Sequence, residues 1–234
     1  MTSFGPSRSR LFVALDVPTV DHARALVERL GDDVSSYKVG LELLFGGGLA
    51  FAAGLKAAGK HVFLDMKLLD IPNTVEKAAA NIAAMGLDFL TVHGTDRKTL
   101  DAAVRGRGSS RLKLLAVTVL TSLDEADLRE QGVASASAAE LVLHRSCMAK
   151  AAGFDGVIAS GHEAAAVRAA TGPDFLIVTP GIRLSDGAVG DQARVLTPTQ
   201  AISAGASHLV VGRPITEAAD PRAAARTILE MIGS

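Results

Sequence analysis

Short apolar runs alternate with longer helix-forming stretches along almost the whole chain, and this alternation constrains the fold more than any other feature. Eight runs occur, at residues 11–16, 37–40, 61–67, 88–94, 112–120, 156–160, 175–181 and 208–213. Each run is continuous rather than alternating, which is typical of parallel strands that are covered on both faces. Helical patterns lie between nearly all of them, so we expect a (β/α)8 TIM barrel rather than a doubly wound sheet.

The length of the chain fits one barrel. It has 234 residues, and no change of composition or Pro/Gly/Ser-rich linker divides it. This length is usual for a single α/β barrel, so we predict one domain over residues 1–234, with a flexible amino-terminal tail over residues 1–10. The three glycines at 46–48 follow a helical start and predict a break in the second helical region.

Charge and cysteine content limit the class of protein. The formal net charge is -1, which gives no reason to expect a nucleic acid or a membrane surface as partner. The only cysteine, Cys147, excludes a disulfide within the chain and fits a reducing compartment. We expect Cys147 to be a small core residue. The polar amino terminus and the lack of any apolar run of about 18 residues predict a cytoplasmic protein.

Charged residues end three neighbouring strands of the predicted barrel. Asp16 ends the first strand, Lys38 lies in the second, and Asp65 and Lys67 end the third, with Asp70 shortly after. Residues two apart on a strand point the same way, so Asp65 and Lys67 should face one side together. Buried charges are costly unless they are paired, so carboxylates and ammoniums should alternate. Barrel active sites lie at the carboxyl ends of strands, which favours a catalytic cluster over ion pairs that only close the barrel.

The last predicted strand runs into a helix through a pattern suited to phosphate. Gly212 lets the backbone approach a ligand, and Arg213 supplies a planar fork of donors. Pro214 fits the first turn of a helix whose free N–H groups can hold an anion. Arg183 and Gln192 lie in the long loop after the seventh predicted strand, and barrel phosphate sites often follow strands 7 and 8. The alternative is an ordinary helix start.

Two long segments follow strands and are candidate lids, at residues 121–139 and 180–197. A surface insertion is an equally good interpretation of the first segment.

None of the six histidines belongs to a cluster with ligand spacing, so we predict no metal site. His93 ends the fourth predicted strand and could line a pocket, although a lone histidine is more often a packing residue. The first strand is not followed by the glycine fingerprint of dinucleotide-binding proteins.

The segment at 63–74, FLDMKLLDIPNT, resembles the signature of the orotidine 5′-phosphate decarboxylase family, with its Asp-x-Lys-x-x-Asp-Ile-Pro-Asn-Thr core. Other segments are similar to that family in its order, at 14–18, 37–45, 117–122, 179–183, 190–194 and 210–215. Related sugar-phosphate decarboxylases and synthases share the shorter Asp-x-Lys-x-x-Asp pattern, so residues 71–74 carry the distinction. The resemblance implies a barrel homodimer that converts orotidine 5′-monophosphate to UMP without a cofactor.

The resemblance also implies roles for the candidate residues. The alternating charge network of the family would comprise Lys38, Asp65, Lys67 and Asp70, with Lys67 as the proton donor. Asp70, Ile71 and Thr74 would reach into the partner subunit's site.

The remaining substrate contacts are also implied by the resemblance. Asp16 and Lys38 would contact the ribose hydroxyls, and Thr121 and Ser122 would lie near the pyrimidine. The phosphate end of the site would be formed by Pro180, Arg183, Gln192, Gly212 and Arg213.

The residue types suit the chemistry of a decarboxylation. Loss of carbon dioxide from a pyrimidine ring leaves a carbanion, and a fixed ammonium at Lys67 can stabilise that charge and then protonate it. Asp65 and Asp70 would fix Lys67 in place and favour its charged form. Two alternatives stay open, namely a Mg²⁺-dependent barrel enzyme that acts on a keto-sugar phosphate, and a non-catalytic sugar-phosphate binding protein.

Overall fold

The computed structural model describes residues 7–133, 137–184 and 196–233. Within them, eight parallel strands form a closed barrel in chain order. The strands are β1 (Leu11–Ala14), β2 (Ser36–Gly40), β3 (His61–Leu68), β4 (Phe89–His93), β5 (Lys113–Val117), β6 (Gly156–Ile158), β7 (Leu176–Thr179) and β8 (His208–Val211). The predicted barrel and its eight predicted strands are confirmed.

Helices connect the strands and form the outer layer. They are α1 (Val20–Leu30), α2 (Leu41–Leu43), α3 (Leu49–Ala57), α4 (Pro72–Ala84), α5 (Arg97–Arg107), α6 (Glu125–Glu130), α7 (Ala138–Ala152), α8 (Ala164–Thr171), α9 (Pro198–Ser203), α10 (Arg213–Thr216) and α11 (Pro221–Gly233). A π-helical turn, Leu44–Gly48, separates α2 from α3, and Gly47 within it has a φ of 93°. The glycines therefore break this helical region as predicted.

Aromatic side chains fill the interior of the barrel. The ring of Phe12 lies 5.4 Å from the ring of Phe63 and 5.1 Å from that of Phe89, both edge to face. The imidazole of His208 packs beside them, 5.7 Å from Phe12 and 5.9 Å from Phe89. A larger apolar layer lies between the strands and the helices. The packed interior leaves the carboxyl ends of the strands as the place for a cavity.

The position predicted for Cys147 differs from the one observed. Cys147 is exposed on α7, so its predicted core position is wrong. The buried side of that helix carries Val142, Ser146 and Ala149, and the residue after Ser146 points away from it.

The amino-terminal segment is described only in part. Ser7–Arg10 form a 3₁₀ helix, and the Arg10 guanidinium donates to the carbonyl oxygens of Ser207 at 2.9 Å and Ala206 at 3.1 Å. Residues 1–6 lie outside the described part, and the flexibility of residues 1–10 stays a prediction. Among the helices that the structure describes, none combines the length and the apolar character needed to cross a bilayer.

Candidate active site

A cavity of about 550 Å³ opens at the carboxyl ends of the strands. The candidate residues that line it are Asp16, Lys38, Asp65, Lys67, Thr121, Ser122, Pro180, Arg183, Gly212 and Arg213. Its apolar walls come from five strands or their ends and include Ala14, Phe63, Val117, Ile158 and Val210. The fold thus brings together polar side chains that are far apart in the sequence.

Four charged side chains alternate in sign along one edge of this cavity. The Lys38 ammonium lies 2.8 Å from Asp16 Oδ1 and 3.3 Å from Asp65 Oδ2. The Lys67 ammonium lies 2.8 Å from Asp65 Oδ1. Each of the two inner groups, Lys38 and Asp65, therefore contacts two groups of opposite charge, and Asp16 takes the position at the outer end.

Burial and ion pairing shift the pKa values of Lys38 and Asp65 in opposite directions. Burial alone would lower the pKa of Lys38, but the carboxylates of Asp65 and Asp16 outweigh it and raise that pKa above its ordinary value. Burial alone would raise the pKa of Asp65, but Lys38 and Lys67 outweigh it, with help from hydrogen bonds, and lower that pKa. Both groups therefore stay charged near neutral pH, because each is compensated within the cluster.

Strand β3 is irregular where it carries the catalytic candidates. Its pairing with β4 moves from Leu64 opposite Leu90 to Leu68 opposite Val92, so the residues between them form a bulge. Lys67 has a φ of 48°, the left-handed region that non-glycine residues rarely adopt. Asp65 and Lys67 both reach the cavity as expected, but the bulge, rather than simple alternation along a strand, sets the direction of Lys67.

Thr91 holds this bulge from the neighbouring strand, and sequence reasoning missed it. Its hydroxyl donates to Asp65 Oδ1 at 2.9 Å and accepts from the Lys67 backbone N–H at 3.0 Å. The side chain is fully buried. The only signal in the sequence is a hydroxyl inside an otherwise apolar strand, and that signal does not identify its partners.

Gly40, at the end of β2, makes room for the outer ion pair. A Cβ atom added there would lie 2.7 Å from Asp16 Oδ1 and 2.9 Å from Lys38 Nζ. Both separations are far shorter than ordinary contacts of a Cβ atom. A side chain at this position would therefore displace the pair.

Two guanidiniums face the cavity after β7 and β8. Burial lowers the pKa of Arg183, and the nearby positive charge of Arg213 lowers it further. Arg213 is the first residue of α10, with Pro214 in the first turn, as predicted. Glu217 also lines the cavity near this pair and was not anticipated. Gln192, the remaining phosphate candidate, lies outside the described residues.

Three candidates lie on the surface and not in this cavity. Asp70, Ile71 and Thr74 are exposed at the start of α4 and before it. Asp70 Oδ1 accepts a hydrogen bond from the Ile71 N–H at 2.6 Å, and among the described residues no ion pair to Asp70 is found. The exposed fraction of Ile71 is 67%. The structure of one chain therefore does not bring Asp70 to Lys67.

His93 is half-buried at the end of β4, and it is not among the described residues that line the cavity. Burial lowers its pKa, and the cations of Lys67 and Arg145 lower it further.

Among residues 7–133, 137–184 and 196–233, no three His, Cys, Asp or Glu side chains form a group that could hold a metal ion.

Comparisons with known proteins identify the family of this chain. A family model described as "Orotidine 5'-phosphate decarboxylase / HUMPS family" matches residues 9–228. A relative from Methylobacterium sp. (strain 4-46), named orotidine 5′-phosphate decarboxylase, is 57% identical over 228 residues, which cover 96% of each chain. A relative of the same name from Caulobacter vibrioides (strain NA1000 / CB15N) is 56% identical over 229 residues, covering 96% of this chain and 97% of that one.

A solved structure gives the same result at the level of the fold. The crystal structure of orotidine 5′-phosphate decarboxylase from Lactobacillus acidophilus matches with a TM-score of 0.84 and 39% identity. The match covers 96% of this chain and 99% of the other. Since sequence and fold agree over nearly the full length, the chain belongs to the orotidine 5′-phosphate decarboxylase / HUMPS family.

Proposed function

We propose that the chain decarboxylates orotidine 5′-monophosphate to UMP, the last step of de novo pyrimidine nucleotide synthesis. Family membership at 57% identity to a protein of that name supports the activity. The observation that carries the chemistry is the row of charges that ends at Lys67, in a cavity that two arginines also line. This arrangement offers a proton donor for the ring and cations for the phosphate.

Lys67 is the proposed proton donor. When the bond between the ring and the carboxylate breaks, its electron pair stays on the ring carbon and carbon dioxide leaves. The Lys67 ammonium stabilises that negative charge and transfers a proton to the carbon, after which water returns a proton to the amine. Asp65 holds the ammonium 2.8 Å away, so little rearrangement is needed when the charge develops.

Arg183, Gly212 and Arg213 are the proposed phosphate contacts, together with Gln192. The support is their common location, because the guanidiniums of Arg183 and Arg213 line the same cavity and can donate hydrogen bonds to one anion. The phosphate is remote from the reacting carbon. Its binding energy could be used to exclude water from the charges below. The lid predicted at 180–197 stays a prediction, because its residues 185–195 lie outside the described part of the chain.

The middle of the cavity is the proposed place of the nucleoside. Asp16 and Lys38 would bind the ribose hydroxyls, and Thr121 and Ser122 would lie near the pyrimidine, with Pro180 beside the phosphate end. All of them line the same cavity, which supports the assignment. The apolar walls suit the flat face of a base.

We also propose a homodimer in which Asp70, Ile71 and Thr74 complete the partner's site. Two features support it. These residues are exposed, and they are not among the described residues that line the cavity. Large apolar side chains are also exposed in the segments that follow the neighbouring strands β2 and β3, namely Leu41, Phe45, Leu49, Leu69 and Ile71. Exposed apolar side chains in adjacent segments are typical of an interaction surface.

A second activity needs to be distinguished, because the family description also covers HUMPS proteins. The alternative is a Mg²⁺-dependent reaction of a keto-sugar phosphate. The purified protein would be mixed with orotidine 5′-monophosphate in excess chelator, and the loss of its ultraviolet absorbance followed. Turnover that the chelator does not affect supports cofactor-free decarboxylation. Turnover that requires Mg²⁺, or acts only on a sugar phosphate, contradicts it, and absence of any turnover favours a binding protein.

The proposed location is the cytoplasm, since the substrate is a nucleotide and one cysteine allows no disulfide within the chain. Cell fractionation with an antibody to the native chain would test this.

A further inference from the structure

We infer that Thr91 is a positioning residue, whose hydroxyl fixes both the Asp65 carboxylate and the backbone of Lys67 so that the Lys67 ammonium points at the reacting carbon. The inference rests on the proposed function. Thr91 is fully buried and is not among the described residues that line the cavity, so it would act through its two neighbours and not on the substrate itself.

The hydroxyl of Thr91 uses its hydrogen-bonding capacity on both catalytic candidates. A hydroxyl has one proton to donate and can accept from others. Thr91 gives that proton to Asp65 Oδ1 at 2.9 Å and accepts the Lys67 N–H at 3.0 Å. Asp65 Oδ1 is also the atom that contacts the Lys67 ammonium, at 2.8 Å. The Thr91 hydroxyl oxygen therefore contacts the backbone N–H of Lys67 directly, and it is linked to the Lys67 ammonium through the Asp65 carboxylate.

The backbone at Lys67 needs such a partner. Regular pairing between β3 and β4 stops at Leu64 and resumes at Leu68, so strand pairing leaves the Lys67 N–H without its usual partner. Thr91 lies between Leu90 and Val92, the two β4 residues that pair on either side of the bulge. Its hydroxyl takes the position that a carbonyl would hold in a regular ladder, and it supports the left-handed φ of 48°.

Hydrogen bonding, and not the shape of the side chain, carries the inference, so isosteric substitution is the appropriate test. Thr91→Val keeps the shape and removes both hydrogen bonds, whereas Thr91→Ser keeps the hydroxyl and removes only a methyl group. We expect Thr91→Val to lower kcat about tenfold or more while KM for orotidine 5′-monophosphate changes by less than about threefold. Thr91→Ser should restore most of kcat. Thr91→Ala, which also lacks the hydroxyl, should behave as Thr91→Val and serves if the valine variant folds poorly.

Thr171→Val is a matched control. Thr171 is buried on α8, and its hydroxyl donates to the Val167 carbonyl at 2.7 Å. It is more than 100 positions in the sequence from Lys67, the last member of the charged cluster. Its kcat should stay near that of the unmodified chain. Affinity for UMP, measured by calorimetry, reports whether each variant keeps a folded site.

The outcomes separate the two proposals. An unmodified chain that does not decarboxylate orotidine 5′-monophosphate contradicts the proposed function, and the role of Thr91 falls with it. An active chain in which Thr91→Val and Thr91→Ala keep a normal kcat overturns the role of Thr91 alone. It is equally overturned if Thr91→Ser is as impaired as Thr91→Val, or if Thr171→Val loses as much.

Discussion

At the scale of single residues, the site depends on how each buried charge is compensated. The Asp65 side chain is only 12% exposed, yet it contacts two ammoniums and a hydroxyl. A carboxylate so placed would be very costly if any one of these partners were lost. The same argument applies to Lys38, which has carboxylates on two sides. Removing one member should therefore affect the remaining ones more than its own charge alone would suggest.

Arg213 offers a test of the phosphate assignment. Arg213→Ala should lower kcat/KM for orotidine 5′-monophosphate by more than about tenfold, a loss of about 1.4 kcal/mol or more. The phosphate-free nucleoside orotidine should react equally slowly with the variant and the unmodified chain, because neither has a phosphate to bind. Steady-state kinetics with both substrates would measure this.

An exposed arginine provides the matched control for that experiment. Arg97→Ala removes a guanidinium that pairs with Asp101 on the surface of α5, and its kinetics should not change. Equal losses on both substrates in Arg213→Ala would remove Arg213 from the phosphate site.

His208 should make the fold sensitive to acid. Burial, with the nearby cations of Lys113 and Arg10, lowers the pKa of His208 to about 3. The unfolded chain binds a proton near pH 6.5, so between these values it binds more protons than the native state, and stability rises with pH. The contribution of neutral His208 to the free energy of unfolding is on the order of a few kcal/mol. It is complete above about pH 6.5 and is lost as the pH falls.

The variant His208→Leu should remove that dependence. Urea unfolding between about pH 4.5 and about pH 7 should give a smaller change in unfolding free energy than in the unmodified chain. His144→Leu, on the exposed side of α7, is the control and should keep the original slope. An unchanged slope in His208→Leu would contradict this account of the barrel interior.

At the scale of elements, β2 and β3 act as one unit of the site. Gly40 lies opposite Asp65 in the register of the two strands, and Lys38 lies opposite Phe63. This pairing places the Lys38 ammonium between carboxylates from β3 and from the segment after β1. The bulge at the end of β3 then turns Lys67 toward Asp65. The register of β2 and β3, together with the bulge at the end of β3, thus sets the order of the charges.

Gly40→Ala tests the close packing at the end of β2. The added methyl group would fall 2.7 Å from Asp16 Oδ1, so the ion pair with Lys38 must shift. We expect kcat/KM to fall about tenfold or more. The φ of Gly40 is -100°, which alanine adopts readily, so backbone strain would not explain the loss.

Gly54→Ala in α3 is the matched control for this substitution. Nothing lies within 4 Å of a Cβ atom at that position, and alanine favours helix. Its activity should be unchanged and its thermal stability equal or higher. Normal kinetics in Gly40→Ala would show that the Asp16–Lys38 pair tolerates displacement.

At the scale of the whole molecule, the barrel could be predicted because each strand is a continuous apolar run and the intervening segments have helical period. The charged ends of β1 to β3 could be located for the same reason. The role of Thr91 could not, because its hydrogen-bond partners depend on a bulge that no local pattern encodes. Cys147 was misplaced because small apolar residues occur all round α7, which leaves the buried face of that helix poorly defined in the sequence.

The proposed dimer can be tested by complementation between inactive subunits. Lys67→Ala and Asp70→Ala should each lack activity as homodimers. In a mixed dimer, one site would hold both substitutions and the other would hold none. Random pairing of co-expressed, differently tagged subunits should therefore restore about a quarter of full activity.

The two single variants, purified apart, are the controls for that experiment. Assays of the doubly tagged fraction would measure one native site for each mixed dimer. Absence of restored activity in that fraction would mean that Asp70 does not serve the neighbouring subunit.

The row of charges also has a gradient of contact with water. The Asp16 side chain is 50% exposed at one end, whereas Lys38 is 8% and Asp65 12% exposed. The outer carboxylate can exchange one polar partner for another with little penalty, because it is already in contact with solvent. The inner carboxylate has no such freedom. One cluster therefore combines an adaptable rim, which can receive ligands of slightly different shape, with a rigid interior that cannot adjust to them.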